Sequence, residues 1–340
     1  MIIVVKPDAR EKDINEIIAL LETNGLKVHI SQGTQRTIIG VIGDKSRLAE
    51  TPIELMTGVE KIVHIMEPYK LVGRAFRPEG SVIDIKGRQI GGHELCMIAG
   101  PCAVESREQI MKAAQDVKAG GAKFLRGGAY KPRTSPYAFQ GLELEGLKLL
   151  REAADSVGLL AVSEIMSEYD LDNAAKYIDV IQIGARNAQN FRLLKEVGKT
   201  GLPVLLKRGI AETIDEWLGA AEYIMSEGNY RVILCERGIR TFESSTRNTL
   251  DVSAIPVIKS KSHLPIIVDP SHASGKSSFV KPLAMAGIAA GADGLIVEVH
   301  PDPKAALSDA IQQLNAAEYY ELCDCIKQLA QIMKRGYGDE

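Results

Sequence analysis

The sequence predicts a (β/α)8 TIM barrel preceded by a small ferredoxin-like α+β domain, and three observations predict it. From Leu95 onward, an apolar strand, a polar loop and an amphipathic helix recur about every 20 to 35 residues, eight times over. Those strands are near-continuous Val, Ile and Leu, the pattern of a parallel sheet covered by helices. The residues before them follow a different, βαββαβ order, that of the ferredoxin-like plan.

In that first module, residues 1–67, Ile2 to Val5 reads as a strand, and Ile14, Ile17, Ile18 and Leu21 share one helical face. Leu26 to Ser31 and Thr37 to Ile42 are expected strands, followed by a second helix and a strand from Val59 to Met66. No acids, bases or metal-type ligands cluster there, so the paired strands are free to bind a small ligand or another subunit, or simply to pack. Residues 68–94 are a connector. Pro68 to Pro78 (PYKLVGRAFRP) has linker character, and VIDIKGRQIGG is expected to turn a hairpin at Lys86-Gly87.

The barrel, residues 95–340, then offers LCMIAG, KFLRGG, LLAVSE, VIQIGA, PVLLKRG, RVILCERG, PIIVDPSH and GLIVEVH as strands. Eight such units in roughly 240 residues match the size of a closed barrel. A doubly wound open sheet is the alternative, although no GxGxxG opens a helix in this chain. SGKSS at 274–278 resembles a phosphate loop but has Pro270 where that motif needs glycine.

The chain has 340 residues, 45% of them hydrophobic, and a net charge of −3. That balance argues against nucleic acid or an anionic membrane as a general partner, which would need basic excess on one face. Five cysteines without a CxxC pair point to a reducing compartment. The N-terminus lacks signal-peptide character and no run reaches membrane-spanning length, so a cytoplasmic location is expected.

In a closed barrel the C-terminal strand ends share one mouth, where such folds keep their active sites. Reading those ends in order gives Cys102; Arg126 with Lys131; Glu164; Arg186; Lys207 and Arg208; Arg237; His272; and Glu298. Cations at four separate ends repel and lose hydration unless something anionic offsets them, and phosphate or carboxylate fits best. The stretch KFLRGGAYKPRTSPYAFQG concentrates this chemistry, with Arg126, Lys131 and Arg133 on a glycine- and proline-shaped loop. A second subset, Cys102, His272, Glu298 and Asp309, comes from the first, seventh and eighth units, which adjoin in a closed barrel. Mixed S, N and O donors suit Mn2+, Fe2+, Zn2+ or Co2+ better than Mg2+ or Ca2+. Cys235, Cys323 and Cys325 read as structural.

These residues carry a resemblance. IAGPC (98–102), RGGAYKPRTSPYAFQG (126–141), QIGARNAQN (182–190), LLKRG (205–209), CERG (235–238), VDPSH (268–272) and EVHPDP (298–303) resemble 3-deoxy-D-arabino-heptulosonate 7-phosphate (DAHP) synthases, in the subclass with an N-terminal ferredoxin-like regulatory domain. The resemblance implies a condensation of phosphoenolpyruvate with erythrose 4-phosphate, the first step of the shikimate pathway, in which phosphate leaves by C–O cleavage. It implies one divalent metal ion on Cys102, His272, Glu298 and Asp309. Phosphoenolpyruvate would meet Arg126, Lys131, Arg186, Lys207 and Arg237, with Ala185 beside it, and the aldose phosphate would meet Lys131, Pro132, Arg133, Thr134 and Ser135. Lys131, Lys207 and His272 would serve the chemistry directly, and Glu164 is a candidate for placing or deprotonating the attacking water, with a plain salt bridge as its alternative. The resemblance further implies a homotetramer and inhibition by tyrosine or phenylalanine at His29 and Ser31. Two other readings stand beside it: the sister 3-deoxy-D-manno-octulosonate 8-phosphate synthase, whose loop reads KANRSS-like rather than KPRTS, and a non-catalytic sensor of phosphorylated metabolites.

Overall fold

A computed structural model describes residues 2–32, 37–42, 48, 52–63, 68–131 and 135–338. The chain divides into two compact units, Met1–Pro68 and Tyr69–Glu340. In the first, β1 (Ile2–Val5), β2 (Lys27–Gln32), β3 (Thr37–Ile42) and β4 (Val59–Val63) form an antiparallel sheet in the order β2-β3-β1-β4. Helix α1 (Glu11–Thr23) buries Ile17 and Leu21 in a core with Ile3, Val5, Ile39 and Val59. The second helix expected in this module lies largely outside the described residues; within them, a 3-10 turn, Ile53–Leu55, stands before β4.

In the second unit the eight predicted strands all form. They are β7 (Cys96–Gly100), β8 (Phe124–Arg126), β9 (Leu160–Glu164), β10 (Val180–Ile183), β11 (Val204–Lys207), β12 (Val232–Glu236), β13 (Ile266–Val268) and β14 (Gly294–Glu298), following the hairpin β5 (Ile83–Ile85) and β6 (Arg88–Ile90). Pairing runs in chain order and closes β14 onto β7 in parallel register, so no edge is left. Between the strands lie α2 (Arg107–Ala119), α3 (Glu143–Val157), α4 (Leu171–Ala174), α5 (Phe191–Lys199), α6 (Ile214–Met225), α7 (Ala254–Lys261), α8 (Pro270–Ser274) and α9 (Ser277–Ala289), and α10 (Ala316–Ile332) follows β14. Sequence sets their starts: Ser106 caps α2 through Gln109, and Thr213 with Glu216 and Asn315 with Glu318 form capping boxes on α6 and α10. Among the described residues no helix is long and apolar enough to cross a membrane.

Alternation along each strand divides the core in two. Met97, Leu125, Ala161, Ile181, Leu206, Leu234, Val268 and Val297 face the helices. Ile98, Phe124, Val162, Val180, Leu205, Ile233, Ile267 and Ile296 fill the barrel, and Ile83, Ile85 and Ile90 of the hairpin join that inner cluster. The hairpin therefore stoppers the N-terminal end of the barrel: Lys86 Nζ reaches Asp179, just before β10, at 2.6 Å. Residues read as linker are in part fixed here. Tyr69 and Val72 are buried, and Glu222 accepts the amides of Lys70, Leu71 and Val72 at 2.9 to 3.0 Å.

Candidate active site

The same alternation dictates what enters the mouth. Two residues beyond each inward apolar position stand Gly100, Arg126, Glu164, Gln182, Lys207 and Glu298, and Cys235 leads likewise to Arg237 and Ile267 to Asp269. Arg208 is one residue out of phase and points the other way. It pairs with Glu236 and Asp251, both at 2.9 Å, and its guanidinium lies over the Trp217 ring, so it leaves the expected cation set.

Beyond β7 and β14 three expected ligands converge. Donor atoms of Cys102, Glu298 and Asp309 lie within 4.8 Å of one another. His272, on the short helix after β13, brings Nε2 to 3.5 Å from Glu298 and 3.9 Å from Asp309. Burial raises the Cys102 thiol to about 11, with the charges of Glu298 and Asp309 adding and Lys131 opposing. Burial would also raise Glu298, yet the guanidinium of Arg126 and the ammonium of Lys131 act to lower its carboxyl. Burial keeps His272 neutral, the form in which imidazole binds metal. Two carboxylates, a neutral imidazole and a thiol whose ionisation awaits a positive partner fit a borderline divalent ion.

A ring of buried cations adjoins this cluster. Arg126 donates to Glu298 at 2.6 Å. Lys131 lies 3.0 Å from Cys102 Sγ and donates to its carbonyl at 2.9 Å, an approach that requires Gly128, where a Cβ would stand 2.8 Å from the same carbonyl. Lys207 donates to Asp269 at 2.5 Å. Arg237 is buried with, among the described residues, one long hydrogen bond to the Gly238 carbonyl at 3.4 Å, and burial lowers its pKa.

Other expected residues fall out differently. Arg186 and Ala185 sit on the 3-10 turn after β10, Arg186 exposed. Glu164 accepts from the Gln182 amide at 3.0 Å, with no ion pair among the described residues, and crowds Gly184, where a Cβ would lie 2.0 Å from Glu164 Oε1. Ser135 is exposed on the loop rim, while Pro132, Arg133 and Thr134 lie outside the described residues. His29 and Ser31 are placed as backbone on edge strand β2, opposite Gly40 and Ile38, and their side chains lie outside the described residues.

Sequence reading missed Asp269, Gln312 and Gln313. Asp269 accepts the amide of His272 at 2.9 Å and sets Oδ2 2.8 Å from its Nδ1, off the axis of a hydrogen bond, and stays well below the usual carboxylate range despite burial because His272 and Lys207 flank it. A carboxylate behind a histidine fixes the ring for a ligand on its other nitrogen. Gln312 bridges Glu298 (2.5 Å) and Asp309 (3.3 Å), and Gln313 accepts the Cys102 amide at 2.9 Å. Asp269 was recoverable from the period of two in VDPSH. The glutamines follow from tertiary pairing of a loop and carry no spacing signal.

Comparison with known proteins agrees over nearly the whole chain. Residues 81–335 match the DAHP synthetase I family, and residues 1–67 match the DAHP synthase ferredoxin-like domain. A phospho-2-dehydro-3-deoxyheptonate aldolase of Thermotoga maritima is 54% identical over 333 residues, covering 98% of each chain. A 2-dehydro-3-deoxyphosphooctonate aldolase of Hydrogenovibrio crunogenus is 30% identical over 264 residues, covering 71% of this chain and 92% of its own. The crystal structure of the Thermotoga DAHP synthase superposes with a TM-score of 0.85 at 52% identity and 98% coverage of both chains. A truncated form of the Thermotoga enzyme covers 78% of this chain with a TM-score of 0.74.

Proposed function

The chain belongs to the DAHP synthetase I family, and from that premise we propose a metal-dependent, feedback-inhibited enzyme whose barrel mouth binds phosphoenolpyruvate and erythrose 4-phosphate. The activity is that of a DAHP synthase, the first step of the shikimate pathway. The observation that carries the site assignment is the convergence of Cys102, Glu298 and Asp309 within 4.8 Å, with His272 alongside, at the foot of a ring of buried cations.

A divalent ion held by Cys102, His272, Glu298 and Asp309 would supply a Lewis acid for the aldehyde oxygen. Arg126, Lys131 and Lys207 would take the phosphoenolpyruvate carboxylate, exchanging their present partners for a ligand that offsets all three. Arg237, buried and without an ion pair among the described residues, and Arg186 on its exposed turn would hold the phosphate until it leaves. Arg133 and Thr134 would anchor the aldose phosphate. Glu164, held by Gln182, is the candidate for placing the water that attacks C2.

In the first unit, aromatic amino acids would bind at His29 and Ser31 on β2. Inhibition requires the effector to favour one arrangement of the protein over another, and its strength is bounded by that difference in affinity. The homotetramer implied by the resemblance belongs to the same reading.

The test is phosphate release by the purified protein with both substrates. Erythrose 4-phosphate should support turnover and arabinose 5-phosphate should be a poor substitute. Preference for the five-carbon sugar would move the chain to the sister activity, and no turnover with either would favour a sensor.

A further inference from the structure

We propose that Glu105 is a positioning residue for Asp309, acting through the loop that joins β14 to α10; the proposal rests on the metal site described above. Asp309 stands in the left-handed region, with φ of 49°. That backbone is strained for a non-glycine residue and persists where surrounding contacts hold it. Its loop is tied at both ends, since Leu314 donates to the Glu298 carbonyl at 2.8 Å and His300 to the Leu314 carbonyl at 2.9 Å.

The middle of the loop is tied by a different part of the chain. Glu105, three residues after Cys102, accepts the amide of Leu307 on Oε1 at 2.9 Å, two residues before Asp309. Its Oε2 lies 3.4 Å from His300 Nε2, with 9% and 5% of the two side chains exposed. His300 Nδ1 accepts the Asp302 amide at 3.0 Å, and among the described residues its Nε2 makes no hydrogen bond to Glu105. One carboxylate thus joins the segment that carries Cys102 to the loop that carries Asp309, through the Leu307 amide. A buried acid in this place is hard to explain as solubility or capping, and it touches none of the mouth cations among its hydrogen bonds and ion pairs in the described residues. Its geometry instead fixes the distance between two ligands drawn from opposite ends of the barrel sequence. Supporting groups of this kind are worth about 10- to 100-fold in metal affinity.

The experiment strips the full-length protein with a chelator, titrates it with Mn2+ by calorimetry, and follows amide exchange of residues 299–314 in the stripped state. Glu105→Ala should speed exchange at Leu307 and weaken Mn2+ binding about 10- to 100-fold, whereas Glu105→Gln, which keeps an acceptor for that amide, should stay within about threefold of the parent. Equal loss in both variants would overturn the proposal, because charge rather than geometry would then be responsible. Unchanged Mn2+ binding in Glu105→Ala, while Cys102→Ala abolishes it, would overturn the proposal and leave the metal site standing. A parent protein that binds no Mn2+ would remove the metal reading itself and this proposal with it. Should Glu105→Ala fail to fold, Glu105→Asp keeps the charge, falls one methylene short of Leu307, and carries the same expectation as alanine.

Discussion

Arg126 and Glu298 meet across 2.6 Å with 5% and 1% of their side chains exposed, so the cation at the second strand end is held by the acid at the eighth. Arg126→Ala would strand a buried carboxylate, and the unfolding free energy of the metal-free protein should fall by about 3 to 5 kcal/mol. Denaturant titration measures this directly. A loss below about 1 kcal/mol would mean that Gln312 alone compensates Glu298.

Arg186 offers the opposite case. Being exposed on its turn, it should contribute to catalysis and not to folding. Arg186→Ala should lower kcat/KM by roughly 30-fold to several thousand-fold, the equivalent of about 2 to 5 kcal/mol, with the melting temperature unchanged. Near-normal kinetics would place Arg186 outside the phosphoenolpyruvate site.

Chelation should abolish turnover, and Mn2+ or another borderline divalent ion should restore it, because the site mixes sulfur, nitrogen and oxygen donors. Cys102→Ala should lose both activity and metal retention, as measured by metal analysis after gel filtration. Full turnover in a protein shown to be metal-free would end the Lewis-acid assignment.

Residues 69–340 form a compact unit with their own core. Produced alone, they should turn over substrates with the same metal requirement and ignore tyrosine and phenylalanine, while the full-length chain is inhibited. Parallel inhibition curves decide it. Equal sensitivity of both proteins, or none in either, would leave the first unit without a regulatory role.

Asp179, buried at the hairpin end of the barrel, should link stability to pH. Burial would raise its carboxyl, but Lys86, the Ala161 amide and Arg151 lower it. A depressed carboxyl stabilises the fold above its unfolded value near 3.8 and loses that contribution as pH falls through the folded value. Asp179→Asn should therefore be less stable than the parent at pH 7, with the gap closing below about pH 4. A gap that stays constant down to pH 2 would show that Asp179 acts through packing and not through charge.

Much of this was legible from residue types in order. The eight apolar runs became the eight barrel strands because parallel strands buried on both faces admit little else. Cys102, His272, Glu298 and Asp309 could be grouped in advance because closure puts the first, seventh and eighth units side by side. Arg208 was misplaced because a strand end was read without its phase, and the same neglect hid Asp269, which is inward by alternation from Ile267. Gln312, Gln313 and Glu105 were hidden for another reason. Gln313 and Glu105 have partners about 200 residues away, and Gln312 reaches Glu298 across a folded loop, pairings that short-range patterns do not record.

The stopper at the foot of the barrel bears on how such a protein can be taken apart and recombined. A chain begun at Leu95 would keep every strand, every mouth residue and every covering helix, yet it would lose Ile83, Ile85 and Ile90 from the inner core that they share with the barrel strands. The hairpin travels with the barrel as its floor. The joint at which the first module could be removed or exchanged therefore falls at about residue 68, ahead of the first residues that the barrel holds as its own.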